Sequence, residues 1–181
     1  GNTGLSSAAY GFSVDTAAPV APVITTVMDD VAQMTGQVAA GTTSNDNTPT
    51  LGGTAEANAT VNVYDGTRLL GIAHADTDGN WTLPLTTALA DGAHSITAVA
   101  MDAAGNTGLS SAAYGFSVDT TAPAAPAVTT VTDDVAQTTG LVAAGETTND
   151  NTPALGGTAE ANATVKVYDG ATLLGTVQAD K

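Results

Sequence analysis

The sequence predicts an all-β fold built from tandem antiparallel β-sandwich modules. Three observations carry this. First, the chain repeats itself at an offset of 104 residues: GNTGLSSAAYGFSVDT at 1–16 returns unchanged at 105–120, and GTAEANATV at 53–61 returns at 157–165. Of the 77 positions that can be compared, 1–77 against 105–181, 17 differ, with no insertion or deletion. A unit of about 100 residues is the size of one sandwich and far exceeds the roughly 20–45 residues of a solenoid repeat. Second, short runs of alternating apolar and polar residues, bounded by Gly, Asn, Asp and Pro, dominate the chain. Third, Ala is frequent but sits among Thr, Val, Gly and Asn, without the 3.6-residue spacing of a helix.

The elements follow in order. AAPVAP at 17–22 and TAPAAP at 121–126 are linkers, held extended and away from helix by their prolines. A first strand is expected over about Val23–Met28. A loop-rich stretch with room for one short strand runs to Asn47. Thr50–Ala55 and Thr60–Tyr64 read as the next strands. Asp65–Gly66 reads as a hairpin turn into Arg68–Ala75, because Asp-Gly suits a two-residue hairpin loop, and Asp169–Gly170 repeats it. Asp76–Asn80 is a polar loop, Trp81–Leu85 a short strand, and Asp91–Gly92 a turn into His94–Met101. Asp102–Asn106 is a second polar loop, before a last strand at Ala112–Val118. Seven or so strands at this spacing fit an immunoglobulin-like sandwich. On this reading residues 1–16 are the C-terminal strand of a preceding repeat, 17–120 a whole repeat, and 121–181 the N-terminal part of the next. That third piece lacks counterparts of 78–104, including Trp81. It is what an excerpt of a longer chain would show, or a module completed by a neighbouring chain.

The expected core is Leu51, Val61, Val63, Leu69, Trp81, Leu83, Ile96, Ala98, Tyr114 and Phe116, the inward positions of the alternating runs. Trp81, the one Trp of the chain, reads as the anchor of that core; sugar stacking is the alternative. The net charge is −15, from 18 acids, 15 of them Asp, against Arg68, Lys166 and Lys181. Such a surface argues against nucleic acid and anionic membrane as partners, and no run reaches the roughly 18 apolar residues of a membrane span. There is no Cys for a stabilising disulfide, so metal is the obvious staple.

The oxygen-rich loops offer that staple, because hard cations take six to eight oxygens from carboxylates, amide carbonyls and backbone. The candidates are Asp102 with Asn106, and Asp119 with its counterpart Asp15. The adjacent pairs Asp29–Asp30 and Asp133–Asp134 join them, as do Asp46 and Asp150 within Asn-Asp-Asn. Solvated Asx turns are the competing reading. Asp76-Thr-Asp78-Gly-Asn80 starts like an EF-hand loop, but the required Gly and Glu are replaced by Trp81 and Thr87, so it reads as a turn. His74 and His94 read as lone surface residues; with no Cys nucleophile and no phosphate loop, the chain reads as non-enzymatic.

VMDDVAQMTGQVAAGTTSNDNTPTLGGTAEANATVNVYDGTRLLG, then ADTDGNWTLPLTTALADGAHSITAVAMDAAGN, then DTTAP, resembles the bacterial immunoglobulin-like repeats of giant surface adhesins. These are the biofilm-associated proteins and related type I-secreted adhesins. The resemblance covers the whole repeat, with five motifs in order. It implies an extracellular sandwich on the bacterial surface, a stalk that spaces an adhesive tip from the cell in adhesion and biofilm formation, and calcium near module junctions. Neighbouring repeats of the same chain are then the main partners. Two other functions stay open: direct recognition of a host glycan or protein through end loops, and self-association of repeats on facing cells.

Overall fold

The computed structural model describes all 181 residues and contains strands, turns and loops but no helix. The chain divides into two units, Gly1–Thr120 and Thr121–Lys181.

In the first unit ten strands form two sheets. One sheet holds β1 (Val23–Asp29), β2 (Gly36–Gln37), β4 (Thr50–Thr54) and β7 (Asn80–Pro84), in the order β2-β1-β4-β7. The other holds β3 (Thr43–Ser44), β5 (Thr60–Asp65), β6 (Arg68–His74), β8 (Gly92–Met101), β9 (Thr107–Ser110) and β10 (Tyr114–Val118). Its order is β3-β10-β8-β5-β6, with β9 also paired to β8. All pairs are antiparallel except β3 with β10, where Ser117 faces Thr43 and Val118 faces Ser44. This is the expected sandwich. The loop-rich stretch supplies two short strands, β2 and β3, where one was expected, and β9 was not anticipated: TGLS has no alternating apolar face to announce it.

Leu51, Val61, Val63, Trp81, Ile96, Ala98 and Phe116 are buried in one core, with Leu83 and Tyr114 packed at its margin. Leu69 is the exception. It is 48% exposed, and Leu70 packs against the core in its place. A bulge in the β5–β6 hairpin explains this: Val63 pairs with Gly71 but Tyr64 pairs with Leu69, so Leu70 is an extra residue and the phase flips. Ile24, Val27, Val38, Ala73, Ala75, Leu85, Leu89 and Val118 complete the core.

The Gly52–Gly53 pair of β4 has a packing reason. A Cβ on Gly53 would lie 1.9 Å from the Val23 carbonyl oxygen and 2.8 Å from Trp81 Cζ2. The bare backbone lets Trp81 and β1 close over β4.

The second unit holds β11 (Ala127–Asp133), β12 (Gly140–Leu141) and β13 (Ala154–Thr158) in the order β12-β11-β13, and the hairpin β14 (Thr164–Asp169) with β15 (Thr172–Gln178). Registers and bulges match those of their counterparts 104 residues earlier. Nothing in it replaces β7, β8 or β10. Leu155, whose counterpart Leu51 is fully buried, is 44% exposed.

Candidate functional site

The acidic residues gather at the two ends of the first unit. At one end β10 runs out beside β3 and the start of β8. Asp119 N donates to the Ser44 carbonyl, and Thr120 N and Oγ1 both donate to Asp91 Oδ1. Ser44 opens the acidic cluster of this end. Its hydroxyl donates to Asp29 Oδ2 at 2.6 Å and accepts from Asp46 N at 3.0 Å. Asp29 Oδ1 accepts from Val31 N, Asp46 Oδ2 from Asp30 N, and Asp46 Oδ1 from Thr48 N and Oγ1. Asp29 and Asp46 are both buried, at 3% and 0% exposure; Asp30 stays exposed.

This is an unusual setting for two carboxylates. Every donor among those bonds is a neutral backbone N–H or a hydroxyl, and the one side-chain ion pair of the chain is His94–Asp65, elsewhere. Buried charges are ordinarily paired or bound to metal. Between Ser44 and Asp46, Asn45 Nδ2 reaches the Ala32 carbonyl, while Asn45 Oδ1 is buried with no hydrogen-bond partner. An orphaned amide oxygen on the residue next to buried Asp46 is a donor of the type that suits a hard cation. No three acidic or histidine side chains converge on one point, so the amide and backbone oxygens would have to supply much of the coordination.

The second unit rebuilds the carboxylate part of the cluster, but Asn149 Oδ1, the counterpart of the orphaned Asn45 oxygen, accepts from Thr138 Oγ1 at 2.5 Å. Thr148, in place of Ser44, and Thr138 both donate to Asp133 Oδ2, and Thr148 Oγ1 accepts from Asp150 N. Asp150 Oδ2 accepts from Asp134 N and Oδ1 from Thr152. Asp133 and Asp150 remain buried although the rest of that unit is open. The cluster therefore depends on local sequence, not on a closed core. The Thr148 hydroxyl bond, helped by backbone N–H donors, holds the Asp133 carboxyl below its ordinary value.

The other end of the first unit carries the Asp102 loop. Asp102 Oδ2 accepts from Asn106 Nδ2 and Oδ1 from Asn106 N, both at 2.8 Å, which holds its carboxyl low. Asn106 Nδ2 also donates to the Asp15 carbonyl, and the Pro19 carbonyl lies over Gly108, where a Cβ would come within 2.3 Å. So Asp102 and Asn106 meet Asp15 and the linker that precedes the module. Asp119 does not join them, because β8 and β10 are antiparallel and leave Asp102 and Asp119 at opposite ends. The Asp15 side chain itself turns back to Ala17 N and is exposed.

Asp76 closes a turn through Asp78 N and Asn80 N, as expected of that loop. Two other expectations change. Asp65 ends β5 rather than forming the turn, which is Gly66–Thr67, and its Oδ1 accepts from Ser95 N. His94 is not a lone surface residue. Its side chain is largely buried, 2.8 Å from Asp65 Oδ2 through Nδ1 and 2.7 Å from the Ala90 carbonyl through Nε2, and packs on Phe116. Both ring nitrogens are thus engaged, and a general base needs one facing substrate. The signal was the adjacency of Asp65 to β8, which no local pattern reveals.

Against known proteins, a family model for the bacterial Ig-like domain matches residues 21–120. The chain belongs to that family. The match covers the strands that build the first sandwich, including both acidic ends. Among solved structures, this Ig-like chain is similar to CopC from Methylosinus trichosporium OB3b, at 18% identity and a TM-score of 0.32, over 45% of this chain and 85% of that one. No curated protein sequence matches it.

Proposed function

We propose that this bacterial Ig-like chain is a non-catalytic extension segment of a bacterial surface adhesin, stiffened by calcium bound in the acidic ends of its modules. The observation that carries the reading is the buried set Asp29, Asp46 and Asn45 Oδ1, two carboxylates and an orphaned amide oxygen with no cationic partner. Asp30 and Asp119 flank that set, and calcium there would tie β1 to the end of β10, where the chain leaves the module. In the following repeat Asp133, Asp134 and Asp150 are the equivalent ligands. At the opposite end, Asp102 and Asn106 fasten the preceding linker through Asp15 without needing a cation.

Support for the mechanical role comes from near-identical repetition. A stalk needs copies, whereas a unique recognition site does not. The 17 changes between copies remove no Asp, and Ser44 changes only to another hydroxyl, Thr148. Calcium that binds only the folded state would also favour folding in a calcium-rich exterior over the cytosol. That agrees with secretion to the cell surface and with the absence of cysteine. The test is calorimetric: titration of calcium into the metal-stripped chain should show saturable binding that Asp46→Asn and Asp150→Asn together abolish. Absence of heat and of any shift in melting temperature would sink the calcium reading, and with it the stiffening role.

A further inference from the structure

A neutral imidazole has one N–H, so it donates one hydrogen bond and accepts one. His94 is offered two acceptors. Its Nδ1 lies 2.8 Å from Asp65 Oδ2 and its Nε2 lies 2.7 Å from the Ala90 carbonyl oxygen. Neither a carbonyl nor an ionised carboxylate can donate in return. Both contacts are hydrogen bonds only when the ring carries two protons. The surroundings suit that cation. Asp65 is fixed by its second oxygen, which accepts from Ser95 N, and the Phe116 ring lies at 5.8 Å, within cation–π range. The charged groups about the ring are Asp65 from β5, Arg68 opposite it in the β5–β6 hairpin, and Asp91 on the loop that enters β8. The Ala40–Gly41 loop and β10 place only Ala40, Gly41, Gly115, Phe116 and Ser117 there, none of them charged.

We propose that His94 is a proton-dependent latch on the corner formed by Ala90 and Asp91. With two ring protons it ties that corner to the end of β5. When the ring sheds one, the remaining N–H stays with the Asp65 carboxylate, because an ionised acceptor makes the stronger bond. Nε2 then turns a lone pair toward the Ala90 carbonyl oxygen. Two lone pairs at 2.7 Å repel, so the corner lets go. Its flanks are pinned: Leu89 is buried and its N donates to the Asn47 carbonyl, and Gly92 pairs with Val118. Movement is therefore confined to Ala90 and Asp91. That corner matters because Asp91 Oδ1 accepts from both Thr120 N and Thr120 Oγ1, where the chain leaves the sandwich. A proton on His94 is thus felt at the exit of the module. The latch uses none of Asp29, Asn45 and Asp46, so it stands apart from the calcium reading.

An NMR titration of the 181-residue protein from about pH 5 to about pH 9, in excess chelator, tests this. That range lies above the ordinary carboxyl values, near about 4, so imidazole is the side chain that changes charge. His74→Gln, the residue found at the equivalent position 178, removes the other ring from the spectrum. The expected result at the acid end is a His94 ring with a proton on each nitrogen. As the ring loses its second proton, the exchange protection of the Thr120 amide should fall in the same step by about fivefold, the worth of one ordinary hydrogen bond. His94→Gln, which cannot titrate, should show the lower protection at every pH. A single ring N–H in the folded protein at the acid end overturns the proposal. So does Thr120 protection that ignores the ring's step, or that stays at the parent's acid-end level in His94→Gln.

Discussion

The Ser44 hydroxyl donates to Asp29 Oδ2 at 2.6 Å and accepts from Asp46 N, so one small side chain joins two buried acidic residues. Ser44→Ala leaves a buried carboxylate oxygen and a buried N–H short of partners, at an expected cost of about 1–3 kcal/mol. Ser44→Thr should be nearly neutral, because Thr148 makes the same two bonds in the next repeat. Urea unfolding of the two variants checks the pair.

Gly53→Ala should destabilise the first unit by about 1–3 kcal/mol or more, the range for overpacking, because its Cβ meets backbone that has nowhere to move. A midpoint unchanged in urea would mean that Trp81 and β1 do not close over β4 as described.

The bulge at Leu70 makes a contrast between neighbours. Leu69→Ser, on an exposed position, should fall within about 0.5 kcal/mol of the parent. Val63→Ala, a fully buried position across the same hairpin, should cost several times more, since it removes buried methyls and leaves a void. Equal effects would contradict the register.

Acid stability follows from three carboxyls held low: Asp102 by the Asn106 side chain, Asp133 by the Thr148 hydroxyl, and Asp76 by the Asn80 N–H. A depressed folded-state value means that the stabilisation is complete above the unfolded carboxyl range, near about 4. It is lost as pH falls through the lower folded values. Denaturation midpoints should therefore be flat from neutral pH down to about 5 and drop below about 4, and Asp102→Asn should make that drop shallower.

Much of the fold was legible because its signals are local. Short strand-like runs placed seven of the ten strands of the first unit, and the repeat placed those of the second. Leu69 was misassigned because a single extra residue reverses the phase of a strand, and a bulge leaves no mark on an apolar run such as RLLGIA. Strand β9 was missed because TGLS carries no alternating apolar face, and the His94–Asp65 pair because it joins residues distant in sequence. The acidic residues were legible as cation-ligand types, but their grouping was not. Only the antiparallel run of β8 and β10 shows that Asp102 and Asp119 lie at opposite ends, with Asn106, bonded to Asp102, donating to the Asp15 carbonyl. The orphaned Asn45 oxygen could not be read from sequence at all, since it depends on where Asn45 Nδ2 is spent.

The calcium reading is tested most directly by melting the 181-residue protein in millimolar calcium and again in excess chelator. Calcium at about 100 times its dissociation constant adds about 2.7 kcal/mol to the folded state. In a module of this size that raises the melting temperature by on the order of 10 °C. The account predicts such a rise for the parent protein and its loss in Asp46→Asn combined with Asp150→Asn. Identical melting in calcium and chelator would contradict it.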